Sequence, residues 1–282
     1  MNQSPSQTTH LFTNRQITAM LLPLMAEQLL ITLMGMVNTF MVAHVGSYAI
    51  SAVSLVDSIN ILVIQAFYAL STGGTIVCAQ YLGQKKTGHA IRSAEQTLFI
   101  VTLISLVTAA FCILFDRQIL RLIFGTVDEE VFNSARTYFF YSSLSYPFIA
   151  LYDAGSSIFR AQKNTGFPMA MSLIANIANV IGNIILVLIL GQGVAGAAIS
   201  TLAARALCAL LVLLRLVKPR ENQPVYVANY TRIRPHMPLI RRILHIGIPA
   251  GIENSMFQFP YSVPMAVDTV SASLSQMMPV PL

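Results

Sequence analysis

The chain has 282 residues, of which 55% are hydrophobic and only 10% are charged. A soluble domain carries about 25% charged residues, so this composition excludes an ordinary soluble core and favours a protein whose solvent is lipid. The formal charge of +6 comes from basic residues in short segments between apolar runs, which is not the pattern of a nucleic-acid-binding protein.

Six apolar segments are long enough to approach or cross a hydrocarbon layer about 30 Å thick, at about 1.5 Å per helical residue. Backbone groups in hydrocarbon must pair within their own segment, so each segment is predicted to be a helix of an all-α membrane bundle. A shorter seventh run predicts part of one further helix. In chain order the segments are Ile17–Val42, Ala49–Leu70, Thr97–Phe115, Thr137–Phe159, Pro168–Leu190, Val194–Leu214 and Ile243–Phe259.

The basic residues predict the orientation of the chain. Thirteen of them lie in alternate connections and only three in the others. Because Lys and Arg are enriched in cytoplasmic loops, we expect a multi-pass protein of the cell inner membrane with a cytoplasmic N-terminus. The most basic connection, 215–242, is interpreted as a topology determinant, and contact with anionic lipid headgroups is the alternative.

Composition divides the chain into five parts. A polar segment precedes the bundle, and a basic linker separates the bundle from the seventh apolar run. The predicted parts are a cytoplasmic N-terminal segment 1–16, a six-helix bundle 17–214, a cytoplasmic linker 215–242, a partial helix 243–259 and a Pro-rich tail 260–282.

Ionisable groups at membrane depth are costly, so they are expected to face the bundle interior and to serve function. Four acids are the candidates for binding a coupling ion, Na⁺ or H⁺: Glu27, Asp57, Asp153 and Glu253. Arg205, near the middle of the sixth segment, is expected to be a structural charge paired with Asp57, Asp153 or a backbone carbonyl.

Amide side chains predict a polar lumen. Asn176, Asn179 and Asn183 follow the spacing i, i+3, i+7 on one helical face, and Asn38 shares a face with Glu27. Hydrogen bonds between helices are the alternative interpretation of both patterns. An aromatic side chain, Tyr146, is a candidate contact for substrate. The predicted cavity-lining set is Asn38, Asn176, Asn179, Asn183 and Tyr146.

The sequence lacks the motifs of soluble enzymes and metal sites. It has no Walker loop, no HExxH, no CxxC pair and no G-x-S-x-G context, and its three cysteines lie in or beside apolar runs without paired spacing. We therefore expect neither an enzyme nor a bound cofactor, with Na⁺ or H⁺ acting only as a coupling ion.

A short pattern recurs after six segments. Pro23 and Glu27 form a Pro-x-x-x-Glu pattern early in the first segment, and Pro249 and Glu253 repeat it in the seventh. A repeat after an even number of helices has the same orientation as the first unit, as in transporters built from parallel repeats.

Several stretches resemble the multidrug and toxic compound extrusion (MATE) family, in order and in spacing. The resemblance implies twelve helices in two six-helix bundles that exchange Na⁺ or H⁺ for cationic, amphipathic drugs or metabolites. The stretches are MVNTFMVAHVG within 23–46, AQYLGQKK at 79–86, FRAQKNTGFPM at 159–169, GVAGAAIST at 193–201 and IGIPAGIE at 246–253.

Two positions and the tail depart from that family. Asn38 stands where many relatives have an acid, which puts a proton site there in doubt. Glu253 matches an acid of Na⁺-coupled relatives. In those relatives, the partners of this acid lie on later helices. From Pro260 the sequence has four prolines in 23 residues and no family likeness, so we expect the first half of a longer transporter with an unrelated tail, as a frameshift or premature stop produces.

Three functions remain open from the sequence. The first is efflux of a cationic or amphipathic small molecule across the lipid bilayer, by a truncated half whose activity is undecided. The second is a non-transporting membrane subunit that self-associates or pairs with a missing second bundle. The third is a lipid-linked sugar flippase of the same superfamily, for which one arginine, Arg205, is slender support.

Overall fold

A computed structural model describes residues 14–125, 128–217, 223–227 and 235–253, and these residues are almost entirely helical. The predicted tail 260–282 and most of the N-terminal segment 1–16 lie outside them. The helices are α1 Asn14–Ala43, α2 Ser47–Gly83, α3 Thr87–Leu114, α4 Asp116–Phe124, α5 Glu129–Ala161, α6 Gly166–Asn183 with a π-helical continuation Ile184–Ile189, α7 Gly193–Val217 and α8 237–253.

The predicted all-α bundle of six long helices and part of a seventh is confirmed. Among the described residues, five helices are long and apolar enough to cross a membrane, namely α1, α2, α3, α6 with its continuation, and α7. The sixth long helix, α5, spans 33 residues but is less apolar than the others.

The polar composition of α5 follows from its central place. It packs most extensively against α2 and α7, and also against α3. Its large aromatic side chains Phe139, Tyr146 and Phe159 are fully buried, and so are many of its serines. Protein rather than lipid surrounds α5. Its hydroxyl groups can therefore be buried when they hydrogen-bond to carbonyl groups of the same helix.

Several boundaries differ from the sequence prediction. α2 continues to Gly83 beyond the predicted end at Leu70, α3 begins at Thr87 before the predicted Thr97, and α5 begins at Glu129 before the predicted Thr137. Polar and charged residues at these helix ends lower the hydropathy without ending the helix.

The connection predicted for 116–136 contains the short helix α4, whose Asp116 accepts a hydrogen bond from Arg136 at 2.6 Å. The predicted seventh segment, α8, begins at 237 rather than 243, because Arg241 and Arg242 lower the hydropathy of a stretch that is nevertheless helical. Arg242 donates hydrogen bonds to Gln80 Oε1 and to the Tyr81 hydroxyl on α2.

Glycines bring α8 directly against α2. A Cβ on Gly73 of α2 would lie 2.5 Å from the carbonyl oxygen of Ile243 and 2.8 Å from the amide nitrogen of Gly247 on α8. A Cβ on Gly247 would in turn meet the carbonyl oxygen of Ala69 at 3.1 Å. The two backbones therefore touch, as small residues allow at helix crossings in membranes.

The ends of α2 and α5 share one turn geometry. Lys85 and Lys163 both have positive φ, 59° and 63°, and the residue after each, Lys86 or Asn164, donates its amide to a carbonyl five residues earlier. This is the Schellman arrangement of a helix C-terminus. The sequences are also alike, QKKTG at 84–88 and QKNTG at 162–166.

Residues 223–227 of the predicted linker are held against the bundle. The side-chain amide of Gln162 donates to the Val225 carbonyl at 3.3 Å and accepts from the Val225 amide at 3.1 Å. The Val227 amide donates to the Leu216 carbonyl, and Val225 and Val227 are buried. This segment is thus fixed to the ends of α5 and α7.

Replacing Gly73 by Ala tests the α2–α8 contact. The added methyl group meets backbone atoms of α8 rather than a flexible side chain, so we expect a loss of about 1–3 kcal/mol in the free energy of unfolding. Chemical unfolding in detergent micelles measures it. The matched control is Gly83→Ala, where no atom lies within 4 Å and Ala should be neutral or favourable. Equal effects of both changes would contradict the contact.

Candidate functional site

A cavity of about 550 Å³ lies between α1, α2, α5, α6 and α7. Its walls combine aliphatic side chains with polar and ionisable ones, which is unusual at membrane depth. The ionisable and aromatic lining residues are Glu27, Tyr68, Tyr152, Asp153, Arg160 and Arg205, and the apolar ones include Leu24, Ile31, Met34, Ile64 and Ile149.

Glu27 is held in an ion pair at one side of this cavity. Arg160 Nη2 donates to Glu27 Oε1 at 2.7 Å, and only 3% of Glu27 is exposed. The Tyr152 hydroxyl lies 3.1 Å from the same oxygen and 3.2 Å from the Pro168 carbonyl, so its single proton is shared between α1 and α6. The Arg160 guanidinium also lies 5.9 Å from the ring centroid of Tyr68, within reach of a cation–π contact.

Asp153 contributes a second carboxylate to the cavity. It lies seven residues before Arg160, so both side chains are on one face of α5. Asp153 is 8% exposed, and its Oδ2 atom has no hydrogen-bond partner among the described residues. The structure therefore brings Glu27 and Asp153 into one cavity, where only Glu27 has a direct counter-charge.

Arg205 reaches the cavity from α7. Its Nη1 atom donates to the Ser145 hydroxyl at 2.6 Å. The sequence predicted a carboxylate or backbone carbonyl as its partner, and the hydroxyl of α5 takes that place. Arg205 interacts with Asp57 and with Asp153 only as a more distant charge, since no carboxylate of the described chain lies within 4.0 Å of it.

Asp57 and Tyr146 belong to a neighbouring polar cluster in the core. Asn60 donates to Asp57 Oδ1 at 3.1 Å and accepts from the Tyr146 hydroxyl at 2.8 Å. Tyr146 is fully buried, with an edge-on contact to Phe67. Neither Asp57 nor Tyr146 is among the residues that line the cavity, so the structure places Tyr146 in the core rather than at a substrate surface.

The predicted amide stripe joins three helices. Asn183 on α6 donates to Asn38 Oδ1 on α1 at 2.7 Å and to Asn179 Oδ1 at 3.1 Å. Asn179 donates to the hydroxyls of Ser200 and Thr201 on α7. Asn179 and Asn183 are fully buried, and the cavity lining does not include them. This is the helix–helix bonding that the sequence left as an alternative to a polar lumen.

Two further predicted residues stand apart. Within the described part of the chain, the Asn176 side chain hydrogen-bonds only to the carbonyl of Ser172 on its own helix, at 2.9 Å. Glu253 is exposed at the last described position of α8 and is not among the residues that line the cavity. The structure therefore collects two of the four predicted ion-coupling acids in one place, Glu27 and Asp153.

Residues 23–185 match the MatE family model, which covers more than half of the chain. The chain belongs to the MATE family. It is 26% identical over 253 residues to the probable multidrug resistance protein NorM of Thermotoga maritima, covering 86% of this chain and 52% of NorM. It is 28% identical over 234 residues to the multidrug export protein MepA of Staphylococcus haemolyticus, covering 81% of this chain and 50% of MepA.

Solved MATE structures share the fold. An outward-facing multidrug resistance MATE transporter of the MOP superfamily superimposes with a TM-score of 0.79 at 18% identity, over 93% of this chain and 60% of that one. A MOP-superfamily transporter from Pyrococcus furiosus gives a TM-score of 0.80 at 19% identity over the same shares. This MATE chain spans about half the length of the curated relatives it matches. It is a membrane protein of a transporter family and not an enzyme.

Sequence reasoning missed the partners that shape this MATE site. Arg160 was assigned to a connection because it follows the apolar segment 137–159, yet α5 continues to Ala161. The signal that was present is the seven-residue spacing from Asp153, which puts both charges on one face. Nothing in the sequence indicates that Ser145 binds Arg205, because this contact depends on where α7 places Arg205.

Replacing Arg160 tests whether the ion pair between Glu27 and Arg160 is buried. Arg160→Ala leaves a buried carboxylate without a counter-charge, so we expect a loss of about 3–5 kcal/mol in the free energy of unfolding, partly restored by adding Glu27→Gln. The control is Arg136→Ala, whose pair with Asp116 is exposed at the Arg136 side chain and should be worth at most about 1 kcal/mol. Chemical unfolding in detergent measures both, and equal losses would contradict a buried pair.

The amide network makes a separate prediction. Asn183→Leu removes the bonds to Asn38, Asn179 and Ser200 and leaves buried polar groups unsatisfied, so we expect a loss of about 2–4 kcal/mol. Asn176→Leu is the matched control, because it breaks only a bond within its own helix and should be worth about 1 kcal/mol or less. Thermal unfolding in detergent compares them. A larger loss for Asn176→Leu would refute the three-helix network.

Proposed function

We propose that this chain supplies the first six-helix bundle of a secondary active efflux transporter, one that exchanges Na⁺ or H⁺ for cationic, amphipathic small molecules. The observation that carries the proposal is the cavity with its two buried carboxylates, Glu27 and Asp153, inside a bundle of membrane-spanning length. Buried acids at membrane depth are typical of ion and substrate pathways.

The size and lining of the cavity support an amphipathic substrate. A volume of about 550 Å³ falls within the roughly 300–1,000 Å³ of small-molecule sites. Aliphatic side chains from α1, α2 and α5 form much of its wall, so a flat or branched apolar group has surface to pack against. The names of the relatives, multidrug resistance and multidrug export proteins, agree with such a substrate.

The site residues of this proposal are the four acids and the amides predicted from the sequence. Glu27 and Asp153 are favoured for ion coupling because both line the cavity, whereas Asp57 lies in the adjacent core and Glu253 lies on α8. The network of Asn38, Asn179 and Asn183 would hold α1 against α6 and α7 beside this cavity.

The setting of the proposal is the cell inner membrane with the N-terminus in the cytoplasm, as the distribution of basic residues supports. A second bundle or a second copy of this chain would complete the transport path opposite the cavity, since transporters place their substrate sites between repeats. The close backbone contact of α8 with α2 supports α8 as the start of such a unit.

Dye transport by the full chain in liposomes tests the proposed function. An imposed H⁺ or Na⁺ gradient should drive ethidium across the membrane, and Glu27→Gln should slow this transport by at least about tenfold, because the neutral amide no longer balances Arg160 beside the ion path. The control is Glu130→Gln, an exposed acid in the first turn of α5, which should transport as the unaltered chain does.

One result of this transport assay would contradict the proposed function. A chain that inserts and unfolds cooperatively but moves no ethidium under either gradient is not a transporter by itself. That outcome would favour the non-transporting subunit, and the same assay repeated with a lipid-linked sugar in place of ethidium would detect a flippase.

A further inference from the structure

A further concave surface lies on the outside of the bundle, where α8 crosses α2 beside α3. Its volume is about 710 Å³, and all ten residues that line it are apolar. We call this surface the α2–α8 groove. α2 contributes Leu62 and Leu70 among others, α3 contributes Ile104, and α8 contributes residues from Leu244 to Ile252. No side chain of the groove can donate or accept a hydrogen bond, so the groove fits a hydrocarbon ligand.

The α2–α8 groove is open to the surroundings of the bundle. Ile248 and Ile252 of α8 are 52% and 58% exposed, and Leu62 of α2 is 38% exposed. α2 and α3 are long and apolar enough to cross a membrane, so these exposed side chains meet acyl chains rather than water. An apolar hollow at this depth takes up the neighbouring hydrocarbon, because an empty hollow forfeits dispersion contacts.

The dimensions of the groove suit one acyl chain lying along the helices. Leu244 and Ile252 are eight residues apart on α8, which corresponds to about 12 Å of helix. One leaflet contributes about 15 Å to the hydrocarbon thickness of a bilayer. The groove therefore extends over most of the depth of one leaflet, starting from the end of α8 that carries Arg241 and Arg242.

Basic side chains gather at that end of the groove. Three helix ends meet there, because Arg242 of α8 donates to Gln80 Oε1 of α2 at 2.8 Å and lies 5.5 Å from the ring centroid of Tyr81. The ring of His89 on α3 stacks on the same tyrosine at 5.3 Å. The exposed basic residues of these helix ends form what we call the basic rim: Lys85, Lys86, Arg92, Arg241 and Arg242.

The basic rim keeps an excess of positive charge. The one acid that the structure describes on these three helix ends is Glu95, which interacts with Arg92. Arg242 uses two of its five N–H donors on Gln80 and Tyr81 and leaves the others available. Arg241 makes no hydrogen bond or ion pair within the described part of the chain. An anionic group at the rim would therefore find unused donors.

Arg241 aligns the rim with the groove. It precedes Leu244, Ile248 and Ile252 by three, seven and eleven residues, so all four lie on one face of α8. Side chains of a helix lean toward its N-terminus, which here is the end that carries the rim. The arginine can thus place its guanidinium among headgroups while its face of α8 continues into the groove.

We propose that the α2–α8 groove and the basic rim form a binding site for one anionic phospholipid, with an acyl chain in the groove and the headgroup phosphate at Arg241 and Arg242. The groove supplies contacts that any phospholipid makes, and the rim adds a preference for negative charge of about fivefold for each arginine near the headgroup. Such a lipid would hold α8 against α2 and α3 from the membrane side. The proposal stands whether or not the chain transports.

The chain contains no tryptophan, which allows a direct test of this lipid site. Ile248→Trp places a single fluorophore in the groove, and Leu106→Trp places one on α3 outside it; both native side chains are 52% exposed. The full chain is reconstituted in phosphatidylcholine liposomes, and quenching by dibrominated phosphatidylglycerol is compared with quenching by dibrominated phosphatidylcholine. We expect the anionic lipid to be preferred at least about fivefold in Ile248→Trp and not to be preferred in Leu106→Trp.

A second substitution assigns the preference to the rim. Added to Ile248→Trp, Arg241→Gln should lower the preference for phosphatidylglycerol about fivefold and leave quenching by phosphatidylcholine unchanged, because the groove stays intact. The control is Arg117→Gln, which removes the same charge from an exposed side chain of α4 that belongs to neither the rim nor the groove. This control should keep the full preference.

Three results would overturn the proposal. The first is equal quenching of Ile248→Trp by the two lipids, and the second is a preference that Arg241→Gln leaves unchanged. The third is an Ile248→Trp protein that neither lipid quenches, since protein such as a second copy of this chain would then cover the groove. If Ile248→Trp does not fold, Ile252→Trp gives the same comparison at another position of the groove.

Discussion

The ion pair between Glu27 of α1 and Arg160 of α5 is the constraint on which the arrangement of the cavity depends. Glu27 is 3% exposed, and neither charge is tolerable in that surrounding without the other. Tyr152 adds a shared hydrogen bond to the start of α6 through the Pro168 carbonyl. Three helices therefore meet at one carboxylate, which lies in the wall of the cavity that Asp153 and Arg205 also line.

A second set of polar contacts, between amide and hydroxyl groups, also joins α1 to α6 and extends to α7. Asn183 ties α6 to Asn38 of α1, and Asn179 ties α6 to the hydroxyls of α7. Neutral amides can both donate and accept, so they hold helices together without the desolvation penalty of buried charges. α1 packs chiefly against α6, and these two polar contacts give an otherwise lipid-exposed helix a defined rotation.

The sequence was sufficient to predict the long helices but not to predict which polar side chains pair with one another. Hydropathy found six long segments because lipid imposes length and internal hydrogen bonding on each of them. It missed α4, whose polar and charged residues lower its mean hydropathy, and it began α8 six residues late because of two arginines. It also ended α2 too early and began α3 and α5 too late, where polar residues continue the helix. Asp153 and Glu27 were both found as buried acids, but nothing local distinguishes a carboxylate that has a guanidinium partner from one that lacks it. That difference arises only in the fold, which brings Arg160 near the end of α5 to Glu27 of α1.

The turns after α2 and α5 share one geometry, but a residue that binds Glu27 precedes only the second of them. QKKTG and QKNTG close the two helices with the same Schellman geometry, and each is followed by a helix that runs back across the bundle. The two helices therefore end alike. Two residues before this turn α5 carries Arg160, which binds Glu27, whereas the corresponding position of α2 is Leu82, a side chain that cannot pair with an acid. The side chain at this position therefore decides that the Glu27 carboxylate is bound from the end of α5 and not from the end of α2.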